Sequence, residues 1–229
     1  MNWFSRFIVS SIGQKFVMAL TGLFLILFLA VHLAGNLQLL RSDGGEAFNT
    51  YAHFMTTSPL IKAISYTLYA AILLHTVQGL ILWRYNRAAR GPVRYAVSYS
   101  RPEERPARNM AWIGIIIFVF ILIHLSQFWY QMHWGELEMK EYPSYPHKVK
   151  DLYSLVSFTY KNPAMVLFYV VCMGVVGVHL WHGFWSAFHT LGLGHRKYVP
   201  VIRFVGMAYA IVIPLLFAII PIIIYFRSE

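Results

Sequence analysis

The sequence predicts an all-α integral membrane protein, a bundle of five transmembrane helices with the N-terminus cytoplasmic and the C-terminus outside. Three observations carry the fold class. Of 229 residues 58% are hydrophobic and only 12% charged; mean hydropathy is +0.54; and five windows free of Asp, Glu, Lys and Arg are each long enough to cross roughly 30 Å of hydrocarbon. The windows are 16–40, 63–83, 111–134, 164–190 and 204–226, in a single transmembrane domain covering residues 1–229.

The first window follows MNWFSRFIVSSIGQK, whose basic residues could open a secretory signal. The apolar run is too long for a signal core and no small-residue cleavage motif follows it, so it reads as a retained span. The second and third windows flank residues 84–108, a basic connection with seven arginines and three prolines. The fourth holds the single cysteine, Cys172, which excludes a disulfide framework, a zinc site or a thiolate-held cluster within this chain. The fifth is the most continuously apolar.

Charge orients the bundle. Twelve of the 19 Lys and Arg residues fall on the side holding the N-terminus and the second and fourth connections, and seven on the other. Two of the nine acidic residues, Glu103 and Glu104, share the basic side. The net charge of +10 is therefore all cytoplasmic, where anionic lipid attracts it. Arg84, Arg87, Arg90, Arg94, Arg101, Arg105 and Arg108 also form a candidate docking surface for a soluble protein partner. The charge is assigned to lipid and protein, with no nucleic-acid partner.

Histidine is the unusual feature. His32, His75, His124, His179 and His182 lie inside four successive spans, with no buried carboxylate to pair with. Ionisable groups at membrane depth are costly and need a partner. A lone histidine would read as packing; four spans in a row point to bis-imidazole ligation of two haem b groups, because hard oxygen ligands and thiolates are both missing from the set. Counted from the cytoplasmic end of each window, His75 lies 8 residues deep, His179 11, His124 13 and His32 16. At about 1.5 Å per residue this groups His75 with His179 near 14 Å and His32 with His124 near 22 Å. Spacing alone leaves His182 as an alternative to His179. Gly35, Gly79 and Gly183 follow their histidines by three or four residues and could clear space for a flat macrocycle; small-residue helix packing is the plainer reading.

The stretches TGLFLILFLAVHLAGN, LLHTVQGL, LIHLSQFW and HLWHGFWSAFHTLG, one per span and in this order, resemble the di-haem cytochrome b subunit of succinate:quinone oxidoreductases, the five-helix single-polypeptide type of bacterial succinate dehydrogenases and fumarate reductases. The resemblance covers nearly the whole chain. It selects His179 as the fourth-span ligand, with Gly183 and Gly192 behind it, and makes His182 a neighbour of a haem propionate. It implies a bacterial cytoplasmic-membrane location, a flavoprotein partner, an iron-sulfur partner docking on the cytoplasmic face, and quinone, with menaquinone expected. This chain would be the quinone-reactive subunit of the enzyme, with no catalytic residue for the dicarboxylate reaction, which resides in the partners. Some relatives carry a buried glutamate just before the fourth-span ligand; Gly177 and Val178 stand there, which argues against a carboxylate relay.

Quinone needs an apolar cleft with hydrogen-bond donors. Outer-side candidates are Glu46, Asn49, Tyr51 and His53 after the first span and Trp129 and Gln131 at the end of the third; an aromatic belt or solvated loop is the competing reading. The rival functions are the cytochrome b subunit of a membrane hydrogenase or formate dehydrogenase, and a haem-free transporter or anchor.

Overall fold

The computed structural model describes residues 2–91 and 105–227, the side chains of 105–108 excepted. Arg94 and Arg101 lie outside the described residues. Helix α1 (Trp3–Val9) is capped by Asn2, whose Oδ1 accepts from the Ser5 amide at 2.9 Å. Ser10 then closes α1 and caps α2 (Ser11–Asn36): its hydroxyl donates to the Phe7 carbonyl at 2.6 Å and accepts from the Gly13 amide at 3.0 Å. A Cβ on Gly13 would strike the Phe7 backbone, so only glycine allows this corner.

A 3₁₀ turn (Leu37–Leu40) ends the first span and leads to α3 (Glu46–Thr57). Pro59 at the first helical position starts α4 (Pro59–Arg90), whose 32 residues run about 48 Å and carry Arg84, Arg87 and Arg90 exposed on the last turns. Helix α5 (Arg105–His124) continues through a π-turn (Leu125–Trp129) into α6 (Tyr130–Trp134) as one rod. Two short antiparallel strands, β1 (Met139–Tyr142) and β2 (Tyr145–Lys150), precede α7 (Leu152–Tyr160). Helix α8 (Pro163–Thr190) starts on Pro163 with an Asn162 cap and stops at Gly192, whose φ of 82° is the left-handed termination glycine tolerates. Helix α9 (Val199–Arg227) completes the chain.

Five of these helical segments are long and apolar enough to cross a membrane. The protein is an all-α integral membrane protein, and the helices run past the charge-free windows because backbone hydrogen bonding does not stop where the hydrocarbon does. Leu27, Leu73, Leu74, Val119, Leu167 and Leu215 all point outward, as lipid-facing residues should.

Helices α8 and α9 pack closely. Pro214 cannot donate to the Ala210 carbonyl, and that freed oxygen would lie only 3.1 Å from a Cβ on Gly177; glycine brings its Cα hydrogens there instead. Gly206 likewise receives the Phe184 ring. The first and last spans meet too, the Tyr209 hydroxyl donating to the Ile26 carbonyl at 2.5 Å and Arg227 to the Leu40 carbonyl at 2.7 Å.

Residues 41–62 and 135–163, which read from sequence as plain connections, fold into a cap of α3, the hairpin and α7 over one end of the bundle. Asn49, with no exposed surface, is its centre: Nδ2 donates to the Tyr142 hydroxyl at 2.8 Å and to Asp151 at 2.9 Å, and Oδ1 accepts from the Tyr153 amide at 2.8 Å. Asp151, 3% exposed, pairs with Lys140 at 2.7 Å. Lys150 donates to the Met132 and Gly135 carbonyls, satisfying the end of α6. The main hydrophobic cluster, with Leu33, Phe128, Tyr160, Tyr169 and Ile220, lies at this same end.

Candidate functional site

The structure brings the span histidines together in two pairs. The His32 and His124 rings lie 5.8 Å apart between centroids with their planes at 89°, and the His75 and His179 rings 6.2 Å apart with their planes at 72°. It is His179 rather than His182 whose ring faces His75. Alternate spans supply each pair, α2 with the α5 rod and α4 with α8.

Two hydroxyls orient the rings. The Thr21 hydroxyl donates to the Val17 carbonyl at 2.8 Å, so its oxygen accepts from His75 Nδ1–H at 3.2 Å. The Tyr169 hydroxyl donates to Gln127 Oε1 at 2.6 Å, and its oxygen faces His124 Nδ1 at 3.4 Å. Both arrangements leave Nε2 with its lone pair, the form in which imidazole binds a metal. Sequence reasoning misses Thr21, Gln127 and Tyr169 because a span hydroxyl or amide carries no periodic signal.

The cap-end pair sits in an aromatic cage. Phe28 stacks on His32 at 5.2 Å and Phe217 lies 5.6 Å from it, while Phe128 and Phe120 lie 5.4 and 5.9 Å from His124. The other pair has open space on one side, where a Cβ on Gly183 would meet nothing within 4 Å, and a close approach on the other, where a Cβ on Gly22 would come 3.2 Å from His75 Cε1.

The donor set fits haem iron. Two imidazoles joined to one iron by bonds of about 2 Å hold their ring centres about 6 Å apart, near the separations found. His179 Nδ1 is buried with no hydrogen-bond partner among the described residues, an imidazole nitrogen that the chain itself does not satisfy. Among the same residues no group of three or more His, Cys, Asp or Glu could hold a metal ion by itself, so ligation in pairs is the available mode.

The remaining expected residues are dispersed. Gly35 lies against the Tyr51 ring, where any Cβ would collide, so this glycine serves the seating of α3 on α2 rather than the His32 face. Gly79 faces the Met18 side chain, whose methyl would lie 3.5 Å from a Cβ on that glycine. Glu46 accepts from the Ser144 hydroxyl, and His53 meets the Tyr145 hydroxyl at 3.1 Å. Asn49 is fully engaged in the cap, and Trp129 Nε1 donates to Tyr69 at 2.8 Å. Of the six quinone candidates, Gln131 lines a cavity near the cap-end pair. Burial raises the Tyr51 hydroxyl above its ordinary pKa, keeping it a neutral donor. For Asp151 burial pushes the carboxyl up, but hydrogen bonds from Lys140, Ser154 and Asn49 outweigh it and leave the pKa lowered.

Over 191 residues, 80% of this chain and 84% of the relative, the protein is 25% identical to the succinate dehydrogenase cytochrome b558 subunit of Bacillus subtilis (strain 168). That relative is of the class the four span motifs resemble. No family model matches the chain, and no solved structure matches it.

Proposed function

We propose that this chain is the membrane cytochrome b subunit of a succinate:quinone oxidoreductase, and that it holds two haem b groups, one between His75 and His179 and one between His32 and His124. The observation that carries the reading is the pairing of four span imidazoles in two facing sets at two depths. The similarity to a succinate dehydrogenase cytochrome subunit supports the identity of the complex. When bound, haem b supplies a one-electron couple; the chain supplies ligands, orienting hydroxyls and an apolar surround.

The charge count supports an orientation in which the end away from the cap meets the cytoplasmic face of a bacterial inner membrane. There the exposed Arg84, Arg87 and Arg90 would receive an iron-sulfur subunit, which in turn carries the flavoprotein where succinate or fumarate reacts. The cap then faces outward, and quinone, with menaquinone as the expected type, exchanges electrons with the subunit. His182, half-buried one turn from His179, would meet a haem propionate.

The test is a dithionite-reduced minus oxidised spectrum of the purified subunit with pyridine haemochrome quantitation. Two b-type haems per chain are expected. An absence of Soret and α bands would sink the reading, and copurification with hydrogenase or formate dehydrogenase subunits would redirect it.

A further inference from the structure

Two further imidazoles meet outside the spans. His53 sits on α3 one turn after Asn49, on the face that meets the hairpin, and its ring centre lies 6.3 Å from that of His147 on β2, the planes tilted by 34°. Alternation along β2 puts Tyr145 and His147 on the side of the buried Val149 and sends Lys148 to the other, where it pairs with Glu141 at 2.5 Å. Tyr145 completes a triangle, its ring centre 5.7 Å from that of His53 and 6.1 Å from that of His147.

The ring nitrogens are set for a ligand. The Tyr145 hydroxyl lies 3.1 Å from His53 Nδ1; as acceptor from Nδ1–H it leaves Nε2 with its lone pair, the device that Thr21 supplies to His75. His147 makes ring contacts with both neighbours and no side-chain hydrogen bond among the described residues. Other exposed histidines are engaged within their own segments: His133 Nδ1 meets the Trp129 carbonyl at 2.9 Å, and His195 Nδ1 accepts from the Lys197 amide at 3.3 Å. His53 and His147 instead converge from a helix and a hairpin far apart in the chain.

Two imidazoles bound to one ion at about 2 Å hold their ring centres about 5 to 6 Å apart, so a small turn of the exposed His147 closes the set. Imidazoles without a carboxylate favour zinc or copper over calcium or magnesium. Among the described residues no third His, Cys, Asp or Glu joins the pair, so water fills the remaining positions on the ion.

We propose that His53 and His147 form a binding site for a divalent transition-metal ion of the zinc and copper class, which ties α3 to the hairpin on the surface of the cap. Tyr145 is a positioning residue that holds the His53 ring. The site is separate from the span pairs and does not depend on what they bind.

The experiment is equilibrium dialysis of the whole purified complex, first stripped of loosely held metal by a chelator, against zinc, with elemental analysis of zinc per chain. A zinc ion that binds wild type and is lost in His147→Ala, with the haem spectrum unchanged, is expected. Excess calcium or magnesium should not displace it. Tyr145→Phe keeps the ring and removes the hydroxyl; it should weaken zinc binding about tenfold to a hundredfold while amide exchange of the zinc-free hairpin stays as in wild type. Unchanged affinity there would remove Tyr145 from the site. Equal zinc in wild type and His147→Ala, or displacement by calcium, would overturn the proposal. Hydrogen exchange locates the ion without any variant: zinc should slow amides in both 46–57 and 139–150, and slowing in one segment or neither refutes the pairing.

Discussion

The two histidine pairs are built differently. The cap-end pair lies among Phe28, Phe120, Phe128, Phe217 and Tyr169, beside the main hydrophobic cluster and beneath a hydrogen-bonded cap. The other pair has one orienting hydroxyl, a histidine nitrogen without a partner among the described residues and open space at Gly183. One imidazole pair is part of the folding core; the other is a local fitting between lipid-exposed helices. On the proposed reading the more open pair is the one nearer the basic end that carries Arg84, Arg87 and Arg90.

The largest effect should come from removing a ligand. His179→Ala is expected to lower haem content from two to one with the bundle intact, whereas His182→Ala keeps both with one shifted potential; quantitation of the haemochrome checks both. His124→Ala should cost more than its haem, because the ring is also core, and lower expression would mark the contrast. Equal behaviour of the two ligand variants would erase it.

Breaking the cap comes next. Asp151→Ala leaves Asn49 Nδ2 and the Ser154 amide without their acceptor, while Lys140 can turn to water, and should cost about 1 to 3 kcal/mol, the penalty of an unsatisfied buried donor. On heating, the spectrum of the cap-end haem should then bleach before that of the other. Simultaneous bleaching would show that the cap does not act on one pair alone.

Orienting hydroxyls give smaller effects. Thr21→Val and Tyr169→Phe each remove about 1 kcal/mol of hydrogen bonding, about 40 mV for one electron, and each should move only its own haem in a redox titration.

The weakest effect is on pH dependence. Asp151 has a lowered pKa, so its contribution is complete above the ordinary 3.8 and is lost as pH falls through its folded value. Hydrogen bonding to Asp151 raises Lys140, whose contribution is complete below 10.5 and is lost as pH rises through its folded value. Thermal stability of the cap should therefore be level between these limits and fall outside them. A slope near neutrality would place another group in control.

The spans and the histidines are legible in the sequence because long apolar windows and rare polar intrusions are local signals. Even the grouping of depths follows from counting along four rods. The cap is not legible: Asn49, Asp151 and Lys140 meet across about a hundred residues of chain, and Pro143–Ser144 alone does not announce a hairpin. Nor does any pattern in LSQFW mark a π-turn, and Thr21 and Tyr169 have roles only once two helices face each other. Glu46, Asn49 and Tyr51 look available for a ligand because their engagement in the cap is a tertiary fact.

The contact between first and last spans sets a timetable. Tyr209 is 183 residues downstream of its acceptor Ile26. At about 5 to 20 residues per second of synthesis, α2 must wait on the order of ten seconds or more in the membrane before its partner exists. Phe217, which closes the His32 cage, arrives later still. A ribosome that stalls before Val199 would release a four-span chain with all four paired histidines present and the first of them uncovered, a product for quality-control proteases rather than a working subunit.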